Sequence, residues 1–258
     1  MIEINKIHCG DCFDLLKLID SNSIDLIIID PPYLTTKEKW DKTEIVNEEL
    51  SRELFRVAKN SCSLYVWCGI GEKSQSLIRW FPIFNKDWYF KDLITWKKQR
   101  GIGMRKGWLY TREEIMWFVK DNKQFVWNKE NQYGEEKRTF TPTFSDIEKQ
   151  KYLSRLNEYK RLTNVWTDTN EVGMGTSCQK GRDIKISIVH FTPKPLKALE
   201  RIIKLHTKEN DLILDCFVGS GSTAVAAQNL KRNFICMDIS PEYCTIAENR
   251  LKKVENSV

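Results

Sequence analysis

The sequence predicts an α/β fold organised around a doubly wound, mostly parallel sheet, and three stretches carry that prediction. "SIDLIIIDPPY" at residues 23–33 drives an apolar run into a carboxylate and two prolines. "DLILDCFVGSGSTAVAA" at 211–227 passes from a strand through a glycine turn into an Ala-rich helix, and "NFICMD" at 233–238 returns as a strand ending in an acid. Alternation of strand and helix at both ends of the chain argues for one sheet assembled from both halves.

Taken in order, "IEINKIHCGD" reads as a strand and "CFDLLKLID" as a short helix with Phe13, Leu15, Leu16 and Leu18 apolar. Leu26, Ile27, Ile28 and Ile29 form an unbroken run rich in β-branched residues, which suits a strand buried on both faces. Residues 44–59 place Leu50, Leu54 and Val57 at helical spacing, and "CSLYVWCG" follows as a strand. "FKDLITW" reads as a strand leading straight into a basic segment, and "EEIMWFVK" follows it. Residues 128–181 lack sustained periodicity except for "IEKQKYLSRLNEYKRL", expected as a helix with Tyr152, Leu156 and Tyr159 on one face. The alternation then resumes with a helix from "KPLKALERIIKLHT", a strand from "DLILD", a helix from "STAVAAQNL", the strand "NFICMD" and a closing helix from Pro241, with Ser240 as its cap. The expected organisation is one α/β unit from residues 1–96 and 186–258, with 97–185 inserted.

A chain of 258 residues can bury a substantial core. No run of 18 apolar residues occurs and "MIEINKIHCGD" lacks a signal-peptide core, so the expectation is a soluble, cytoplasmic protein with no membrane contact. The eight cysteines are scattered, mostly in apolar stretches, which in a reducing compartment means buried thiols. Cys9 and Cys12 form one C-x-x-C beside His8, but no second pair at zinc spacing accompanies it, so no metal site is expected.

The net charge of +6 becomes informative once located. Residues 91–185 hold 20 Lys and Arg against 13 Asp and Glu, a net of +7, so the basic excess is central. From Lys97 to Arg112, "KKQRGIGMRKGWLYTR" contains Lys97, Lys98, Arg100, Arg105, Lys106 and Arg112 with no acid, interleaved with glycines, Trp108 and Tyr110. Such a loop is either a solvated surface or a track for phosphates, and the glycines and aromatics favour the second.

Asp30 falls at the carboxyl end of its strand, where open α/β sheets bind ligands, and Pro31 and Pro32 force the chain out of the sheet in stiff, extended form, with Tyr33 following. The second half of the site is the turn Gly219, Ser220, Gly221, with Asp215 before it and Asp238 one strand later, placed to reach ribose hydroxyls. "GSGSTA" lacks the Lys of a phosphate-binding P-loop, and Ala224 stands where a dinucleotide fingerprint has its last Gly or Ala. Asp215 would repel a pyrophosphate and favours a ligand carrying positive charge, such as S-adenosylmethionine.

"DPPY" at 30–33, "DCFVGSGSTA" at 215–224 and "HFTPKP" at 190–195 together resemble the S-adenosylmethionine-dependent amino-methyltransferases of DNA. Their order, catalytic motif first and cofactor loop last, resembles the β class of adenine-N6 enzymes of restriction–modification systems and phages, over residues 5–120 and 188–252. The family usually has Pro at the place of Cys216, Thr at Ser222, Gly-x-Glu where "CMD" ends in Asp238, and His-Pro-Thr-Gln-Lys-Pro where this chain has "HFTPKP". The resemblance implies a Rossmann-like catalytic domain with a DNA-recognition region at 97–185. It implies a cofactor site of Asp11, Cys12, Lys194, Asp215, Phe217, Gly219, Ser220, Gly221, Ser222 and Asp238. It also implies double-stranded DNA as substrate, with a homodimer and a cognate restriction endonuclease as further expected partners.

Chemically, an exocyclic amine is a poor nucleophile because its lone pair is delocalised into the ring. Two fixed acceptors for its hydrogens, the Asp30 carboxylate and the Pro31 carbonyl, would localise that lone pair towards the methyl donor. The resemblance implies adenine N6 over cytosine N4, the neighbouring chemistry, because Ser-Pro-Pro-Tyr is the more usual cytosine-N4 form and Asp stands at position 30 here, while a catalytically silent nucleic-acid-binding module is the rival from another class.

Overall fold

The computed structural model describes residues 2–35, 41–102, 108–139, 145–153, 157–169 and 193–255, with side chains undescribed at 99–102, 152, 153 and 255. Its elements in chain order are β1 (Lys6–Cys9), α1 (Cys12–Leu16), β2 (Ile24–Ile29), α2 (Glu48–Val57), β3 (Ala58–Cys68), α3 (Ser76–Phe84), β4 (Tyr89–Ile102) and β5 (Tyr110–Val119). They continue as β6 (Tyr133–Lys137), α4 (Asp146–Leu153), β7 (Tyr159–Arg161), β8 (Val165–Trp166), α5 (Leu196–His206), β9 (Leu212–Asp215), α6 (Ser222–Asn229), β10 (Asn233–Asp238) and α7 (Pro241–Glu255).

Eight strands form one sheet in the order β1-β10-β9-β2-β3-β5-β4-β8. β5 runs antiparallel to both its neighbours, β3 and β4, and the other strand pairs of this sheet are parallel. The fold is therefore the expected α/β, doubly wound arrangement, and the apolar run of the second strand explains its place in it. Leu26 and Ile28 enter the core shared with α5, α6 and α7, while Ile27 and Ile29 enter the opposite core shared with α1, α2 and α3. A strand with helices on both faces has no polar side to alternate towards. Each such side chain contributes about 1.5–3 kcal/mol by leaving water.

Local signals set the helix ends. Asn47, extended at φ −142°, accepts a 2.9 Å hydrogen bond from Leu50 N as the cap of α2, with Glu48 and Glu49 in the first turn. Ser240 Oγ lies 3.4 Å from Tyr243 N at the start of α7.

The middle of the chain departs from the sequence reading. β4 and β5 extend the sheet through residues read as a basic loop: Lys97 pairs in register with Arg112 on facing strands. β5 and β8, both within 97–185, are members of the main sheet. The expected helix over 147–162 ends early. α4 is described as far as Leu153, residues 154–156, with Leu156 among them, lie outside the described residues, and Tyr159 belongs to β7, paired antiparallel with β6 in a small second sheet. Tyr159 and Arg161 gain ladder partners there that an exposed helix would not supply.

A buried aromatic cluster fixes α5 against the sheet. His206 Nδ1 lies 2.7 Å from the Val126 carbonyl, which can only accept, so Nδ1 donates and Nε2 accepts the Tyr65 hydroxyl proton at 2.7 Å. Burial pushes this imidazole down to about 4, in keeping with a neutral ring. None of the helices among the described residues is long and apolar enough to cross a membrane.

Candidate active site

β2 and β9 are adjacent parallel strands at the centre of the sheet, with Ile27 opposite Leu214. Strand order reverses between them, so their carboxyl ends open a crevice. A cavity of about 860 Å³ lies there. It is lined by Asp30, Pro31, Pro32 and Tyr33 from one side and by Asp215, Phe217, Gly219, Ser220, Ser222 and Asp238 from the other. Asp11, Cys12, Lys98 and Lys194 reach the same cavity, so motifs from both halves of the chain share one space.

The segment after β2 is held from outside the motif. Leu34 adopts φ +63°, and the buried Asp41 accepts from Leu34 N at 2.6 Å and Thr35 N at 2.7 Å. Arg79 pairs with Glu44 and donates to the Ser74 carbonyl at 2.9 Å, while Trp80 packs its ring 5.8 Å from that of Tyr33. Tyr33 is thereby oriented so that its hydroxyl donates to Asp30 Oδ1 at 2.7 Å.

On the other Asp30 oxygen, Lys194 Nζ approaches to 2.5 Å, and the same ammonium stands 3.4 Å from Glu113 Oε2. Glu113 in turn pairs with Lys98. Burial works against charge on both Lys194 and Glu113, but the opposing partners outweigh it. The two carboxylates hold the ammonium above the usual lysine range, and the two lysines hold the Glu113 carboxyl below its usual range.

The glycine turn is built for close approach. Gly219 lies at φ +52°, and its N–H donates to Asp238 Oδ2 at 2.9 Å, while Ser240 N donates to Asp238 Oδ1 at 2.9 Å. Burial lifts the Asp238 carboxyl above its ordinary value. Burial also lifts Asp215, to about 7, against hydrogen bonds from Thr223 and from Phe217 N. Arg250 of α7 donates to the Ser220 carbonyl at 2.7 Å and lies within reach of the Ser220 and Ser222 hydroxyls, clamping the turn from behind.

Several sequence-predicted residues sit differently from expectation. Gly221 is not among the cavity-lining residues. At φ +86° it faces α7, where an added Cβ would lie 2.8 Å from Ala247 Cβ, so its constraint is packing. Asp11 lines the cavity and also caps α1, accepting from Phe13 N at 2.8 Å. Burial pushes the Cys12 thiol up to about 12. Lys98 turns inward to Glu113, whereas Lys97 and Arg112 are exposed, Arg112 with Glu114 at 3.1 Å. The Arg100 side chain, Arg105, Lys106 and the first three residues of "HFTPKP" lie outside the described residues. Among the described residues no His, Cys, Asp and Glu group is disposed to hold a metal.

Sequence reasoning missed Glu113, Arg250 and the cavity-lining Trp67. Glu113 had a signal: an acid in a strand otherwise apolar from Ile115 to Val119, immediately after the long basic segment.

The fold and the crevice with its paired motifs mark a class of α/β protein that binds a ligand at the carboxyl ends of its strands, and comparison with known proteins narrows it. The DNA methylase family model (N6_N4_Mtase) matches residues 24–249. The Type II methyltransferase M1.MboII of Moraxella bovis is 32% identical over 270 residues, covering 99% of both chains. M.HpaI of Haemophilus parainfluenzae is 32% identical over 95% of this chain and 74% of its own. Among solved structures, the M1.HpyAVI–SAM complex matches with TM-score 0.60 at 22% identity, over 95% of this chain and 98% of its own. PvuII DNA methyltransferase, cytosine-N4-specific, matches with TM-score 0.66 at 17% identity, over 95% of this chain and 85% of its own. The chain belongs to the DNA methylase family. It is a DNA methyltransferase.

Proposed function

We propose that this enzyme transfers the methyl group of S-adenosylmethionine to the exocyclic N6 of an adenine flipped out of double-stranded DNA. The observation that carries this reading is the shared cavity: the Asp30 carboxylate, fixed by Tyr33, opens onto the same space as the glycine turn and Asp238.

The residues present fit that cofactor. Asp215 and Asp238 set acids beside a turn whose Gly219 lies in the left-handed region, a donor set suited to a ligand bearing a sulfonium and an amine and unsuited to a pyrophosphate. Phe217, Gly219 and Lys194 would hold its methionine end, Asp238 its ribose, and Asp11 and Cys12 its adenine. When bound, S-adenosylmethionine supplies a methyl group activated by the positive sulfur.

The remaining work falls to the chain. Asp30 and the Pro31 carbonyl accept the two amine hydrogens and fix the nitrogen for attack. The methylated amine is acidic, and its proton leaves afterwards to water. Extruding the base costs a few kcal/mol, and stacking on Tyr33 returns roughly 1–3 kcal/mol. Affinity then falls to the basic surface around Lys97 and Arg112, within the 97–185 region we assign to DNA recognition. The reading extends to a restriction endonuclease sharing the recognition sequence and to a homodimer, both carried by the family resemblance. Cytosine N4 is the second reading, favoured by the fold match to PvuII DNA methyltransferase.

Nucleoside mass spectrometry of DNA from a methylation-deficient bacterial host expressing the protein separates these. N6-methyladenine is expected. N4-methylcytosine would keep the mechanism and overturn the base, and neither product from folded protein would overturn the reading.

A further inference from the structure

Asp30, the acceptor required for the target amine, is already occupied by an amine. The Lys194 ammonium lies 2.5 Å from Asp30 Oδ2, with its side chain 9% exposed. It also stands 5.7 Å from the centre of the Tyr33 ring and 5.2 Å from that of Trp67. A cation between aromatic walls with a carboxylate at its end occupies the kind of slot that a flat base carrying an exocyclic amine would enter.

A neutral amine cannot displace an ammonium from a carboxylate unless the ammonium has somewhere to go, because a buried uncompensated charge is strongly unfavourable. Glu113 supplies that place. It is buried on β5, and its Oε1 is held by Lys98 from β4. Its Oε2 makes no hydrogen bond among the described residues and faces Lys194 at 3.4 Å. A short swing would exchange the tight contact to Asp30 for a tight contact to Glu113. Charges therefore alternate from Lys98 through Glu113 and Lys194 to Asp30, with the open acceptor in the middle.

Resting on the methyl-transfer reading, we propose that Lys194 is a resident stand-in for the target amine, and that Glu113 is the positioning residue that draws it off Asp30 when the base enters. Lys194 compensates the charge of the Asp30 carboxylate while the slot is empty. Glu113 acts through Lys194 and touches neither base nor cofactor.

The test measures initial rates of methyl incorporation into DNA from a methylation-deficient host at saturating cofactor, with cofactor affinity measured separately without DNA. Glu113→Gln leaves Lys194 on Asp30, so kcat should fall ~10- to 100-fold while cofactor Kd changes less than about threefold. Adding Lys194→Gln to Glu113→Gln removes the trapped cation, so the double variant should methylate faster than the single. A double variant as slow as Glu113→Gln, or a single variant as active as wild type, overturns the proposal. Should Glu113→Gln fail to fold, Lys194→Arg carries the test, since a guanidinium forked onto Asp30 cannot be drawn off readily. Its kcat at saturating cofactor should drop, and a wild-type kcat would overturn the proposal. A wild-type protein that methylates nothing overturns the parent reading, whereas an active wild type beside an unaffected Glu113→Gln overturns only this one.

Discussion

The hydroxyl of Tyr33 donates a 2.7 Å hydrogen bond to the Asp30 carboxylate three residues earlier in the chain. Two consecutive prolines separate them, so the ring and the acid are held in one rigid turn. Asp30→Ala should reduce methylation by at least about 10²–10³-fold while cofactor affinity stays nearly unchanged. Equal losses in both would make Asp30 a structural residue. Tyr33→Phe keeps the ring and removes one hydrogen bond to a charged group, so a milder loss of about tenfold is expected in the same assay.

Asp215 gives a pH dependence of definite sign. Burial raises its carboxyl from 3.8 to about 7, so the free folded protein carries a proton there that the unfolded chain has lost. The contribution of this group to stability is therefore greatest at acid pH and declines as pH rises through that window. A cationic ligand favours the ionised form, so cofactor affinity should weaken by up to about tenfold per pH unit as pH falls below 7. Isothermal titration from about pH 5.5 to 8 would show this slope in wild type and a flatter one in Asp215→Asn. Identical slopes would remove Asp215 from the cofactor site.

Neighbouring lysines on β4 should behave differently in salt. Lys97 is exposed opposite Arg112, whereas Lys98 is engaged with Glu113. Neutralising Lys97 and Arg112 should lower the dependence of log affinity on log salt by about 1 for each DNA phosphate that is no longer neutralised. Lys98→Gln should leave that slope in place. Equal effects at both positions would place Lys98 on the surface that meets the DNA backbone.

Gly221→Ala tests the turn as architecture. The new Cβ would meet Ala247 Cβ at 2.8 Å on backbone at φ +86°. Left-handed strain and overpacking together should cost about 2–4 kcal/mol, lowering Tm by roughly 5–15 °C. An unchanged thermal melt would show that α7 yields there.

The parts of this molecule legible in the sequence are those encoded by neighbours along the chain. Ile27 to Asp30 and Leu212 to Gly221 each carry strand, exit and loop within ten residues or so, and the cavity forms where both place it. What escaped depends on pairing between distant segments. The basic stretch reads as a loop because its glycines mask a hairpin, and only the register Trp96 opposite Glu113 brings Lys98 and Glu113 to one face. α3 escaped because "SLIRWFPIF" is almost uniformly apolar and carries Pro82 inside the helix, blurring both its period and its end. Tyr159 fits a helical stripe with Tyr152, and the ladder with β6 overrides that local preference.

β9 sits between β2 and β10 although more than 180 residues separate it from β2 in the chain. During synthesis β2 can pair with β3 at once, but its other edge has no partner until residues 212–215 leave the ribosome. Until then the strand that leads into Asp30 presents open backbone donors and acceptors, the kind of edge that recruits other chains. A chain stopped beyond β5 is thus expected to self-associate along the β2 edge, which β9 closes.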